Sequence, residues 1–428
     1  MRGNYFRYLF ENLDGGLFHT GSIYDKERQT VTNYVYMAGG YYRNAPQNTA
    51  AALTQKDDRL PEVIDILVVS SYNAKYINRL IEMVKKCEVK TAILPYLAPI
   101  QRLVLVEEMK DGSIAGKEAA HFLQDPYRFL KKCGIGNVYF LSGNGAPIRR
   151  KPEELEKKFC FEQADTEVLK IIWEMEGYAI PVVQAGYFIE NGFLFYFGVY
   201  GLDIHVLSDF TKEYFSHIEN IDKISENVNE DYTSQMKRLI QEYLRKFGNS
   251  PVTTITMFEG PLYTSVNENN SFMTEKEFNR KESGKIWAGC KRDRKCACVV
   301  SCAHKRDHDV MQRYKSSTKE PRFGMLMLGN ANLNRYLSEI LTRFSKVIPQ
   351  IRGISVPNCG NGEDWNHQIL EFLGTKDRIY WICSKHDMTS PGVVSDIVLS
   401  VPNSRFLAID RNWGCCLSGY IIPKEDID

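Results

Sequence analysis

Cys290, Cys296, Cys298 and Cys302 crowd into one short stretch, with His304 and His308 just beyond. Thiolates and imidazoles are the ligands of structural zinc, but such sites use paired C-x2–4-C knuckles, and C-x5-C-x-C-x3-C is not a recurrent spacing. Cys296, Cys298, Val300 and Cys302 alternate, so a strand would place them on one buried face, where cysteine is an ordinary small core residue. The expectation is therefore a strand and its preceding loop, with zinc at the four cysteines as the alternative. Cys359, in P-N-C-G, and His386, in S-K-H-D, are the residue types of a thiol nucleophile and its base. Nothing in the sequence supplies their orienting third group or an oxyanion hole. Gly143-Asn144-Gly145 has the look of a phosphate cradle without the following Lys-Ser/Thr, and a plain turn is expected there. The aromatic run at 186–201 has residues that stack on bases, but they are equally good strand formers, and a β-sheet core is the expectation.

Residues of this kind need elements that carry them. The run Ile64, Ile66, Leu67, Val68, Val69 reads as a strand buried on both faces, and Ser70 to Asn73 are turn formers. Tyr76, Ile77, Leu80, Ile81 and Val84 then share one helical face, and Lys75, Arg79, Glu82 and Lys85 the other. A second apolar strand follows at 89–94, and Pro95 and Pro99 mark a turn into another helix. Further on, helices are predicted over 126–133, 166–176, 231–247 and 334–344, and strands over 138–141, 252–258, 351–356 and 378–383. The 186–201 run reads as a hairpin turning at Asn191-Gly192. Residues 265–283, rich in Asn, Glu, Ser and Lys, read as a mobile loop.

The order strand, V-V-S-S-Y-N-A-K-Y, helix, strand ending L-P-Y-L resembles the metallo-β-lactamase fold, in the branch that includes the competence-protein hydrolase domain. Further landmarks are Gly15, Gly16 and Gly21 in the opening hairpin, Gly39 and Gly40 after the next strand, L-G-N-A-N at 328–332, P-N-C-G with Trp365, and Pro391. The resemblance runs from about Leu13 to about Ala408 with a poorly matched middle. It implies a four-layer αββα sandwich with an insertion: 1–150 and 250–428 as the two halves, and 151–249 as an elaboration between them. It also implies where a dinuclear metal site would sit. There the family's metal-binding residues are replaced by Ala38, Ser71, Asn73, Lys75, Tyr76, Asn330, Asn358, Cys359 and Ser390. Zinc needs thiolates, neutral imidazoles or carboxylates, which the Ser, Asn, Lys and Tyr of this set do not supply, so the resemblance implies a catalytically silent cleft with no metal and no cofactor.

Lys and Arg number 54 against 53 Asp and Glu, so bulk charge does not support a nucleic-acid partner. No run approaches the apolar length of a membrane span and the first residues lack a signal core, so a cytoplasmic location without a membrane partner is expected. Eleven cysteines without a secretion signal fit reduced thiols. The function expected is that of a binding, scaffold or regulatory subunit with a protein partner encoded nearby, as in bacterial anti-phage defence or nucleotide-processing systems, with room for a nucleotide or small ligand in the cleft. The rival is a hydrolase with a relocated site, at Cys359 or at the cysteine cluster.

Overall fold

A computed structural model describes residues 4–13, 16–25, 28–38, 61–72, 74–108, 114–155, 159–215, 230–248, 253–262, 270–273, 324–360, 364–373, 379–384, 406–409 and 415–423. In chain order the elements are β1 (Asn4–Leu13), β2 (Gly16–Asp25), β3 (Thr30–Ala38), β4 (Val63–Val69), α1 (Ala74–Lys86), β5 (Glu88–Pro95), α2 (Pro99–Glu108), α3 (Ile114–Gln124), α4 (Pro126–Lys132) and β6 (Asn137–Asn144). There follow β7 (Phe159–Cys160), α5 (Thr166–Glu176), β8 (Val182–Ala185), β9 (Tyr187–Glu190), β10 (Phe193–Tyr200), α6 (Ile204–Phe215), α7 (Glu230–Phe247), β11 (Thr254–Pro261) and β12 (Asn270–Met273). The last are β13 (Gly324–Met327), α8 (Leu333–Phe344), β14 (Ile351–Ser355), α9 (Gln368–Leu373), β15 (Tyr380–Ser384), β16 (Phe406–Ile409) and β17 (Cys415–Pro423).

The strands make two mixed sheets. One has the order β12-β17-β1-β2-β3-β4-β5-β6-β8 and the other β16-β15-β14-β13-β11-β10-β9-β7. Each passes from an antiparallel half to a parallel half, the first at β3, which pairs parallel with β4, and the second at β13, which pairs parallel with β14. The parallel strands read as apolar runs because they are covered on both faces, as the stretch before Ser70 predicts.

Burial explains the layers. In β10 every residue is buried, but its two faces go to different cores. Phe193, Phe195 and Phe197 point between the sheets, together with Phe6, Tyr8 and Phe10 of β1 and Met257 of β11. Leu194, Tyr196 and Tyr200 point to the opposite face, against Leu337, Ile340 and Phe344 of α8. A third core lies on the outer face of the nine-stranded sheet, where residues from α1 to α7 pack on Leu67, Val69, Ala92 and Leu94. The result is an α/β sandwich of two sheets face to face with helices outside. The aromatic run is thus sheet core on both of its faces, and Asn191 and Gly192, with φ of 48° and 76°, make its tight turn.

The segment 159–248 is spread through these layers: β8 extends one sheet, β7, β9 and β10 belong to the other, and α5, α6 and α7 join the outer core of the first. One stretch departs from the sequence reading. Within the expected loop at 265–283, Asn270–Met273 is a strand, because it pairs antiparallel with β17, far away in the chain. Its composition is poor for a strand, and the ladder hydrogen bonds come from a partner that no local window contains. Among the described residues no helix is long and apolar enough to cross a membrane.

Candidate functional site

The loop after β4 sits at the carboxyl end of a parallel strand, next to the strand β3 at which the sheet changes sense, the place where α/β sheets hold their ligands. Ser70 and Ser71 are buried there. The Ser70 amide donates to Met37 O at 2.8 Å, and its carbonyl accepts from the Ile255 amide of β11 at 2.7 Å, so the loop is a seam between the two sheets. Side chains complete it. Tyr36 Oη–H and Ser70 Oγ–H both donate to Ile255 O, at 2.7 and 3.0 Å, and Ser70 Oγ lies 2.9 Å from Thr254 Oγ1.

The facing sheet contributes the turn after β13. Gly329 has φ of 58°, and a Cβ there would fall 2.0 Å from Ser70 Oγ and 2.8 Å from the Tyr36 hydroxyl, so both conformation and space demand glycine. The Asn330 amide donates to Thr254 Oγ1 at 3.1 Å, and its side-chain Nδ2 donates to Ser71 Oγ at 3.0 Å. The Asn358 amide donates to Gly329 O at 2.8 Å, and its side chain donates to Asp364 Oδ2 at 2.6 Å. Asn332, which caps α8 by accepting from the Arg335 amide, donates to the other oxygen of Asp364 at 2.8 Å.

Proton accounting decides what this cluster can do. A hydroxyl has one proton to give. That of Ser70 goes to Ile255 O, and Thr254 Oγ1 already accepts from the Asn330 amide, so the Thr254 proton points to Ser70. No imidazole, thiol or carboxylate among the described residues hydrogen-bonds either serine. Burial raises the Tyr36 hydroxyl pKa well above its ordinary value, so it stays a neutral donor. Among the described residues this cluster holds no activated nucleophile.

Of the sequence-predicted cleft residues, Ser71 and Asn330 are in direct contact, and Asn358 joins them through Gly329. Ala38 is buried at the end of β3 and Tyr76 in the first turns of α1. Cys359 follows Asn358 in a 3-10 turn, Pro357–Gly360, but its side chain and that of Lys75 lie outside the described residues. Asn73, Ser390, His386, Cys290, Cys296, Cys298 and Cys302 also lie outside them. Among the described residues no three His, Cys, Asp or Glu side chains are grouped to hold a metal ion. Sequence reasoning passed over Ser70, Thr254, Asn332 and Asp364. Asp364 could have been found as the carboxylate immediately before Trp365, whereas Thr254 has no local signal.

Among the described residues two buried acid–base pairs lie elsewhere. His19 and Glu259 pair between the sheets. Arg102 pairs with Glu176 through both carboxylate oxygens, at 2.5 and 2.6 Å, and donates to Leu123 O and Gln124 O, beside a cavity of about 10 Å³ that suits a single water. No protein-family profile matches the chain, and no curated protein sequence matches it.

Proposed function

We propose that the chain is a catalytically silent relative of the metallo-β-lactamase-fold hydrolases, working in the cytoplasm as a binding, scaffold or regulatory subunit for a protein partner encoded nearby. The observation that carries this reading is the Ser71–Asn330 hydrogen bond at 3.0 Å. At the strand ends where that family carries metal ligands, a hydroxyl and an amide bond to each other, and Asn358 and Asn332 tie up the neighbouring carboxylate of Asp364. A metal-dependent hydrolase without its ions has neither Lewis acid nor hydroxide nucleophile. What a fold of this size retains is surface, and the order of its landmarks supports descent from an enzyme whose chemistry has been lost. The place in a bacterial defence or nucleotide-processing system is an analogy from the resemblance.

Metal analysis of the purified chain tests it. The expected result is no stoichiometric metal in a variant with Cys290, Cys296, Cys298 and Cys302 changed to Ser. Near-stoichiometric zinc or manganese that persists in that variant, together with metal-dependent hydrolysis of a phosphodiester or lactam, would overturn the reading.

A further inference from the structure

A cavity of about 190 Å³ opens at the carboxyl ends of β6 and β8, the far edge of the parallel half of the nine-stranded sheet. It is lined by Gly145, Arg149, Arg150, Cys160, Gly186 and Tyr187. Arg149 and Arg150 are exposed, and among the described residues neither pairs with a carboxylate. Glu162 also borders the cavity and forms no ion pair with them.

Behind the wall lies a third positive charge. Arg343 is buried, and its guanidinium donates to Phe197 O at 2.5 Å, Gly145 O at 2.9 Å and Ala185 O at 2.6 Å while stacking 4.8 Å from the Tyr196 ring centre. Gly145 and Ala185 are themselves cavity residues. Carbonyl dipoles satisfy the hydrogen-bonding groups of Arg343 but bring no negative charge, and among the described residues no carboxylate pairs with it. Burial alone lowers its pKa, the direction expected of a cation without a counter-ion.

We propose that this cavity binds a small oxyanion-bearing molecule, a phosphate or a carboxylate, held between the Arg149 and Arg150 guanidinium groups over the wall that Arg343 charges from behind. Guanidinium forks match both anions bidentately. The half-buried Tyr187 lines the cavity and gives an organic remainder a ring to stack on. The cavity is far larger than a single water requires. It lies at the carboxyl edge of the same sheet as Ser70, two to three strands along, where α/β sheets bind ligands. The site does not depend on descent from a metal hydrolase.

Calorimetric titration of the full chain with inorganic phosphate, AMP and citrate tests the site, alongside alkylation of Cys160 followed by mass spectrometry. At least one ligand should bind in the millimolar range or tighter and slow the labelling of Cys160. Arg149→Ala with Arg150→Ala should weaken it about ten-fold or more, whereas removing the same charge at a distance, in Lys237→Ala with Arg238→Ala, should leave it unchanged. Tightest binding of phosphate, AMP or citrate assigns a free phosphate, a phosphorylated nucleoside or a carboxylate respectively. Failure of all three to bind, equal weakening in both double variants, or binding that leaves Cys160 labelling unaltered would each overturn it. All four substitutions replace exposed side chains, so the fold should stay intact in both double variants.

Discussion

His19 Nε2 lies 2.5 Å from Glu259 Oε1, with neither side chain open to solvent. The two come from β2 and β11, on opposite sheets. The His19 ring stacks on Phe10 at 4.3 Å and meets Tyr8 and Tyr34 edge-on. Its Nδ1 lies 3.2 Å from Leu9 O, which fixes a proton on that nitrogen and turns Nε2 to Glu259. Breaking a buried pair from one side leaves the other polar group stranded, at about 3–5 kcal/mol. Glu259→Ala and His19→Ala should each lower urea-unfolding stability by about that much. Their double variant should cost clearly less than the sum. Additive losses would show that the pair is not coupled.

The aromatic core predicts a steep alkaline limit. Burial, then the nearby Glu259 charge, raises the Tyr8 and Tyr34 hydroxyls well above their usual value. Burial raises Tyr96 similarly and pushes Tyr243 up to about 12. A tyrosine whose pKa is raised by folding contributes stability that is complete below its unfolded pKa near 10 and is lost as pH climbs through the folded value. Between those two values each such group should remove ~1.4 kcal/mol per pH unit. Phenolate absorbance should therefore rise in two steps, the second coinciding with loss of the far-UV dichroism. A single step completed before unfolding would refute this.

Gly329 and Asn330 test the seam from the other side. Gly329→Ala places a side chain at φ 58° against Ser70 and Tyr36 and should destabilise the protein by about 2 kcal/mol or more, read from thermal unfolding. Asn330→Asp retains shape but buries a carboxylate beside Ser71, costing about 1–3 kcal/mol at neutral pH. That loss should shrink as pH falls through the carboxylate range, because burial raises the folded pKa and protonation removes the charge. A penalty independent of pH would assign the effect to packing instead.

Cysteine labelling separates the two readings of Cys359. Burial raises the Cys87 and Cys133 thiols, so both should react slowly at neutral pH, and the buried Cys383 only after unfolding. On the non-catalytic reading Cys359 reacts no faster than a small-molecule thiol. Selective labelling of Cys359 ahead of all other thiols would instead favour a nucleophile there.

Local pattern was enough for many of the elements and for which face of those is apolar. The spacing Tyr76, Ile77, Leu80, Ile81, Val84 places five buried residues on α1, and the Asn191-Gly192 pair is a turn that few other dipeptides make. The helix of residues 126–132 starts where Asp125 can accept from the Arg128 amide. Residue types likewise marked the strand ends at Ser71, Asn330 and Asn358 as lacking metal ligands. Tertiary structure alone decided what those residues do with one another. Thr254 reaches Ser70 across 184 residues of chain and Asn330 reaches Ser71 across 259, because two sheets that bury apolar faces must close their polar seam with whatever groups the strand ends present. The same holds for Asn270–Met273, a strand only because β17 lies beside it, and for Arg343, whose three carbonyl partners come from separate strands and loops. Periodicity reports whether a side chain faces inward; the partner it meets there is set by the packing of distant elements, which no window of sequence encodes.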